Sequence, residues 1–359
     1  MGTVMILGAT GYTGTLVARE LARKDVPFVI AGRNEEKLVQ LKDSLPQPVE
    51  YRIATPDDPT TLAGLFRGVD VVINTVGPFG DYGEPVVRAA LEQNVHYLDT
   101  TGEQDYMLRM IENHDAVAQA KKKVVICAQA FEYAVGECAA TLALEPLHNR
   151  ADRVEVFNYV RGAGASRGTV KSAFRMFSEP CLIWDRGRLV EEKPGAVMNE
   201  IRFPGESQSR AALTIPGGEP LNIHRYADVS LVRTCLVMPP RFVRAARYGT
   251  MALSLATAGP LRKVTDWAVD RFQDPPDYEV GRRSEFKVVA RARRDSTEKI
   301  CAVSGHDPYG ITASIAVEGA RFLLKGPPRR YGVISTAMAF DPAAFLDALK
   351  PDGVTWRLA

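Results

Sequence analysis

Val4-Met5-Ile6-Leu7-Gly8-Ala9-Thr10-Gly11-Tyr12-Thr13-Gly14 is the stretch on which the reading of this 359-residue chain turns. Thr3 to Leu7 is a short apolar run stopped by a glycine, the pattern of a strand buried on both faces of a parallel sheet. Beyond the glycines, Leu16, Val17, Glu20 and Leu21 fall at helical spacing, and after Pro27 a second apolar run follows, Phe28-Val29-Ile30-Ala31. Strand, glycine turn, helix and strand in that order make a βαβ unit. A Gly-x-x-Gly-x-x-Gly turn in this place lets the backbone approach a pyrophosphate, whose charge is stabilised by free N–H groups and the positive end of the helix dipole. Gly8, Thr10, Gly11, Tyr12, Thr13 and Gly14 are therefore expected to cradle a dinucleotide.

The end of the second strand tells which dinucleotide. An NAD enzyme usually carries Asp or Glu there, about 20 residues past the motif, to bond the ribose hydroxyls. This chain reads Ala31-Gly32-Arg33-Asn34, with a guanidinium in place of a carboxylate. Arg33 can pair bidentately with a 2′-phosphate and stack on adenine, and Asn34 can add a hydrogen bond, so the expected cofactor is NADP(H). After the fourth strand, Asn74-Thr75-Val76-Gly77-Pro78-Phe79-Gly80 reaches the carboxyl edge of the sheet, and Thr75, Val76, Gly77 and Pro78 are expected to form the cofactor wall. Tyr82 follows at once as a candidate proton donor, while Glu84 reads as a favourable charge in a first helical turn.

Asp99-Thr100-Thr101-Gly102-Glu103 ends the fifth strand at the same edge, which makes Thr100 and Glu103 candidates for orienting substrate. The alternative is that Asp99 and Thr101 only cap the next helix. Phe131-Glu132-Tyr133 follows the sixth strand and offers a carboxylate and a phenol, with Tyr133 a candidate catalytic acid. His306-Asp307-Pro308 invites a catalytic reading, but Asp-Pro is well placed to turn the chain or cap the last long helix.

Strand and helix patterns alternate as far as Cys127: helix 36–45, strand 50–54, helix 59–66, strand 69–74, helix 84–93, strand 96–99, helix 107–121 and strand 124–127. Such alternation implies an α/β, Rossmann-type doubly wound parallel sheet with helices on both faces. Past about residue 150 the pattern becomes α+β. Strands are expected at 154–160, 200–203, 212–215 and 286–291, and helices at 169–177, 239–271, 312–324 and 342–349, with a Gly-Val-Ile-Ser strand between the last two. The apolar stretch Met251 to Gly259 is too short for a bilayer span of about 20 residues, leaving at most a peripheral membrane contact. Lys plus Arg (45) against Asp plus Glu (43) gives a formal charge of +2, which points to no nucleic-acid partner. Five scattered cysteines, without a Cys-x-x-Cys pair, read as reduced thiols and suggest no metal site. No export signal is visible, so a cytoplasmic setting is expected.

Taken together, Gly-Ala-Thr-Gly-Tyr-Thr-Gly (8–14), Ala-Gly-Arg-Asn (31–34), Val-Gly-Pro-Phe (76–79), Tyr-Gly-Glu-Pro-Val-Val (82–87) and Tyr-Leu-Asp-Thr-Thr-Gly-Glu (97–103) resemble the saccharopine dehydrogenase-like oxidoreductases. The resemblance is strongest to the branch with the trans-acting enoyl reductases. It extends through Gly164-Ala165-Ser166-Arg167-Gly168-Thr169 and Ser172 to Gly305-His306-Asp307-Pro308-Tyr309-Gly310. It implies an NADP-binding Rossmann domain over 1–130, a substrate and dimerisation domain over 131–306, and a C-terminal segment, 307–359, that returns to the first domain. A homodimer is implied, with Arg167 and Thr169 as further substrate contacts and Ser166 as a further candidate donor. The resemblance supplies fold and cofactor but no reaction; the leading expectation is reduction by NADPH of a polarised C=C bond in an enoyl thioester or related unsaturated carbonyl, small or carrier-bound. Saccharopine-type reduction of an imine and a non-catalytic NADP sensor are the alternatives. Ala130-Phe131-Glu132 departs from the related Gly-Phe-Asp pattern, so the substrate does not transfer with the fold.

Overall fold

The apolar runs of the N-terminal half become parallel strands. In the computed structural model, which describes residues 2–162, 180–193, 198–239, 281 and 283–359, β1 (Val4–Leu7) leads through α1 (Tyr12–Arg23) to β2 (Phe28–Gly32). Then come α2 (Glu35–Ser44), β3 (Glu50–Ile53), α3 (Pro59–Leu62), β4 (Val71–Asn74) and α4 (Phe79–Glu92). The run closes with β5 (His96–Asp99), α5 (Gln104–Ala120), β6 (Val124–Ile126) and α6 (Phe131–Leu144). Every residue of β1, β2 and β4 is buried, as strands covered on both faces by helices must be. The sheet order is β3-β2-β1-β4-β5-β6, and the short strand Gly332–Val333 extends it beside β6. The order therefore reverses between β1 and β4, and dinucleotides lie at the carboxyl ends of such a switch point.

Two compact units result. The first comprises Met1–Thr101, Asp105–Ala134 and Tyr309–Asp352. The second comprises Gly102–Gln104, Val135–Pro308 and Gly353–Ala359. Its mixed sheet contains β7 (Arg150–Arg161), β8 (Cys181–Asp185), β9 (Arg188–Glu192), β10 (Met198–Arg202), β11 (Ser209–Ile215), β12 (Asp228–Val237), β13 (Glu285–Arg294) and β14 (Thr297–His306). β7 lies centrally, parallel to β12 and antiparallel to β13, and the last strand, Thr355–Leu358, pairs with β14. Those final residues thus belong to the second unit, whereas the whole segment from 307 was expected in the first. Glu155 on β7 holds the Arg291 guanidinium at 2.7 Å, and that guanidinium also covers the Phe157 ring at 4.9 Å.

Several bounds moved for local reasons. The helix expected over 59–66 stops at Leu62, just before Gly64 takes φ +72°. Helix α4 starts at Phe79 rather than Glu84, with Pro85 inside its early turns. α6 was not expected at all, and neither were β8, β9, β12, β14 or the last strand. The helices expected at 169–177 and 239–271, with Met251 to Gly259, lie outside the described residues. Among the described residues no helix is long and apolar enough to cross a membrane.

Candidate functional site

At the carboxyl end of β1, Gly8 takes φ +85° and donates its N–H to Ala31 O at 2.9 Å. A Cβ at Gly8 would stand 2.7 Å from Val76 Cγ2 and 2.8 Å from Thr75 Oγ1. At Gly14 a Cβ would collide with Gly8 O and stand 2.8 Å from Ala9 Cα, backbone atoms that cannot step aside. Two of the three glycines are thus required by close approach of the turn to its own helix and to β4. Gly11 is the N-cap of α1, no side chain caps that helix, and its first turn has no acidic residue. The helix therefore presents the positive end of its dipole at the turn, with no carboxylate in its own first turn to offset it. This cradle fits a pyrophosphate. The Tyr12 ring is used elsewhere, edge-on against Tyr309 at 5.1 Å. Thr10 and Thr13 are half-buried beside the turn.

Arg33 and Asn34 follow β2 and are exposed. Asn34 Oδ1 accepts from Lys37 N at 2.9 Å, so this side chain caps α2, a role additional to the expected phosphate contact. The nearest carboxylate in sequence, Glu35, accepts a hydrogen bond from the Tyr51 hydroxyl at 2.9 Å, which draws it toward β3.

The cofactor wall has a definite construction. Thr75 N and Oγ1 both donate to Leu7 O, at 2.9 and 3.0 Å, fastening the end of β4 to the end of β1. Val76 N donates to Asn74 Oδ1 at 3.0 Å. Gly77–Pro78 is a cis peptide, and Pro78 is the N-cap of α4.

Below this edge a buried chain of polar groups crosses the first unit. Asn74 Nδ2 donates to the Tyr97 hydroxyl at 3.0 Å, the Tyr97 and Tyr106 hydroxyls are 3.2 Å apart, and Tyr106 donates to Asp99 Oδ2 at 3.0 Å. Asp99 Oδ1 accepts from Thr101 N at 3.1 Å and from Ala128 N at 2.9 Å. Asp99 points inward and is fully buried; it neither faces a cleft nor caps α5. Burial pushes its carboxyl up to about 6 despite the hydrogen bonds that favour the charged form. Burial, with the Asp99 charge nearby, also pushes up the Tyr97 and Tyr106 hydroxyls and the Cys127 thiol. Gly83 on α4 makes room for this chain, since a Cβ there would be 2.5 Å from the Tyr106 hydroxyl.

The remaining sequence candidates are dispersed. Tyr82 is half-buried on α4, and Tyr133 is buried on α6 at 4 % exposure. Glu132, in the first turn of α6, has part of its surface in solvent, yet burial raises its carboxyl to about 7. Thr100 is half-buried in the first unit; Glu103 is buried and belongs to the second. His306 is the exposed last residue of β14, opposite Glu285, and Asp307 takes φ +52° just before the helix Pro308–Lys325. Ser166, Arg167 and Thr169 lie outside the described residues. The sequence put Asn74 only at the start of the cofactor-wall stretch and gave Tyr97 and Tyr106 no role. The available signal was a lone amide ending the otherwise apolar β4 and a tyrosine within β5.

Comparison with known proteins agrees with this geometry. Residues 4–127 match the saccharopine dehydrogenase NADP binding domain family. A saccharopine dehydrogenase-like oxidoreductase of Mus musculus is 27% identical over 197 residues, 49% of this chain and 46% of that protein. A Mycobacterium tuberculosis protein assigned as a trans-acting enoyl reductase is 33% identical over 128 residues, 34% of this chain and 30% of the other. The chain spans about half the length of the curated relatives it matches first. In fold, it superimposes on apo saccharopine dehydrogenase (L-Glu forming) of Saccharomyces cerevisiae with a TM-score of 0.64 at 11% identity, covering 100% of both chains.

Proposed function

Residues 4–127 match the saccharopine dehydrogenase NADP binding domain family, and from that premise we propose that this chain is an NADPH-dependent reductase of a polarised C=C bond, in an enoyl thioester or related unsaturated carbonyl. The observation that carries the cofactor half of this reading is Arg33, exposed at the carboxyl end of β2 where an NAD enzyme needs a carboxylate. Its guanidinium pairs with the 2′-phosphate, and the glycine turn with the uncapped N-terminus of α1 holds the pyrophosphate. When bound there, NADPH would supply the hydride for the β-carbon, and this chain's own part would be to hold a proton for the α-carbon.

Glu132 suits the proton step. A carboxyl raised to about 7 is partly protonated at neutral pH and matched to general-acid work. Tyr82, half-buried on α4, is the second candidate, and buried Tyr133 the third. The choice of C=C over C=N is supported by the mycobacterial relative, whose assignment is to an enoyl reductase.

The test titrates the purified protein with NADPH and NADH, wild type and Arg33→Ala, following nicotinamide fluorescence. Loss of a charge-assisted pair costs about 1.5 to 3 kcal/mol, so the variant should bind NADPH about 10- to 150-fold more weakly and NADH nearly as before. Enoyl thioesters should then be reduced at the expense of NADPH. Failure to bind either nucleotide overturns the oxidoreductase reading, and turnover of imines but not enoyl thioesters overturns the substrate class.

A further inference from the structure

Hydrogen-bond direction along the buried chain is fixed by its two ends. Ionised Asp99 can only accept, so Tyr106 spends its proton on Oδ2 and must accept at its own oxygen. The donor to that oxygen, 3.2 Å away, is then Tyr97, whose oxygen accepts in turn from Asn74 Nδ2. With its amino group committed, the Asn74 carboxamide has one orientation, and its Oδ1 is held for Val76 N. Every proton runs the same way, from the cofactor wall to the carboxylate. The other oxygen of Asp99 gathers Thr101 N and Ala128 N from the loops after β5 and β6.

We propose that Asp99, Tyr106, Tyr97 and Asn74 are positioning residues for the bound dinucleotide, joining the Val76 wall to the loops after β5 and β6 as one hydrogen-bonded unit. The proposal rests on the dinucleotide reading of the glycine turn. The consequence of position is specific. Val76 Cγ2 is the atom that a Cβ at Gly8 would meet first among its close neighbours, at 2.7 Å, so a shift of Val76 is a shift of the wall against which the phosphate turn is built. Breaking the chain at Tyr97 leaves the Asn74 amino group without its acceptor and frees the carboxamide to rotate away from Val76. Replacing Asp99 by Asn puts an amino group toward Tyr106 and reverses its role. Tyr106 then donates to Tyr97, which is left to point its own proton at the Asn74 amino group. Buried donors facing each other are costly, because neither retains a partner. Nucleotide affinity therefore depends on a carboxylate that need not touch the nucleotide. By reciprocity, whatever orders the loops after β5 and β6 changes that affinity by the same factor as the nucleotide changes theirs.

Double-mutant titrations with NADPH itself test this. Tyr97→Phe and Asp99→Asn should each raise Kd about fivefold, in line with about 1 kcal/mol for one lost buried hydrogen bond. The double variant should again be about fivefold weaker than wild type, because one break already uncouples the chain. A double variant about 25-fold weaker, the product of the singles, would mean two independent injuries and overturn the proposal, as would singles that fold and bind like wild type. Loss of NADPH binding in the wild type itself would remove the underlying cofactor reading and this proposal with it. Hydrogen exchange on the wild-type protein needs no variant to fold. Adding NADPH should slow exchange together in peptides spanning Val76, Thr101 and Ala128. Slowing confined to the Val76 peptide would show that the chain transmits nothing.

Discussion

Replacing Asp99 by Asn removes a buried charge while keeping an oxygen for the Ala128 and Thr101 amides. Two effects oppose each other on this carboxyl: burial raises its pKa, and hydrogen bonds from two backbone amides and Tyr106 lower it. Burial wins, taking the group from 3.8 to about 6. A shift of about 2 units corresponds to about 3 kcal/mol of preference for the protonated form in the folded state. The sign follows from proton binding. Between these two pKa values the folded state holds the proton and the unfolded state does not, so stability falls as pH rises from about 4 through about 6 and is level above. Asn has no proton to lose. The stability difference, variant minus wild type, should therefore climb by about 3 kcal/mol between pH 4 and pH 7, whatever constant offset the rearranged Tyr106 contact adds. Urea unfolding of both proteins across this range, followed by far-UV circular dichroism, measures that difference directly. A difference that stays flat, or declines with pH, would show that the hydrogen bonds outweigh burial and would refute the account of Asp99.

Other outcomes follow from clearances and charges. Gly14→Ala should weaken NADPH binding at least about tenfold, because the new Cβ meets only backbone; isothermal titration would show it, and unchanged affinity would remove the turn from the site. Gly83→Ala forces the Tyr106 ring aside and should cost about 1 to 3 kcal/mol in thermal unfolding. Glu155→Ala strands the Arg291 guanidinium, whose side chain is 10% exposed, and should cost about 3 to 5 kcal/mol. Adding Arg291→Met should recover part of that loss, and an equally unstable double variant would contradict the pairing argument.

The first unit was legible because β1, β2 and β4 are buried, almost wholly apolar runs and the turn after β1 is glycine-bound. His96–Asp99 appears as read, and β2 differs by one residue. The same criterion failed on α6, Phe-Glu-Tyr-Ala-Val-Gly-Glu-Cys-Ala-Ala-Thr-Leu-Ala-Leu, which is apolar on nearly every side and so lacks the polar stripe that marks a helix. In the second unit the β8–β9 hairpin turns at Arg186-Gly187 with φ of 48° and 87°. Arg is an unusual residue for the first such position, where Asn or Asp is the usual signal. The glycine cradle and Arg33 were readable as local motifs. The buried chain was not, because Asn74 and Tyr97 meet across adjacent strands and Asp99 meets Ala128 across a whole helix. Register, which a string of letters does not display, brings them together. Asp99 itself was noticed at the right edge but assigned to the wrong side of it.

Helix α1, which offers its N-terminus to the phosphates, is braced along its length by late-arriving residues. Tyr309 meets Tyr12 edge-on at one end, while Glu318 takes Lys24 at 2.5 Å and Asp352 pairs with Arg23 at the other. During synthesis the glycine turn and Arg33 leave the ribosome first, yet these braces emerge only after the whole stretch from Val135 to Pro308. Until then α1 lacks its supports and β6 is an unpaired edge, the kind of surface that invites pairing with another chain. A nascent chain stalled before Tyr309 thus carries the complete nucleotide motif without the frame that makes it a binding site, so competence for the cofactor waits for the stretch from Tyr309 to Asp352 to emerge.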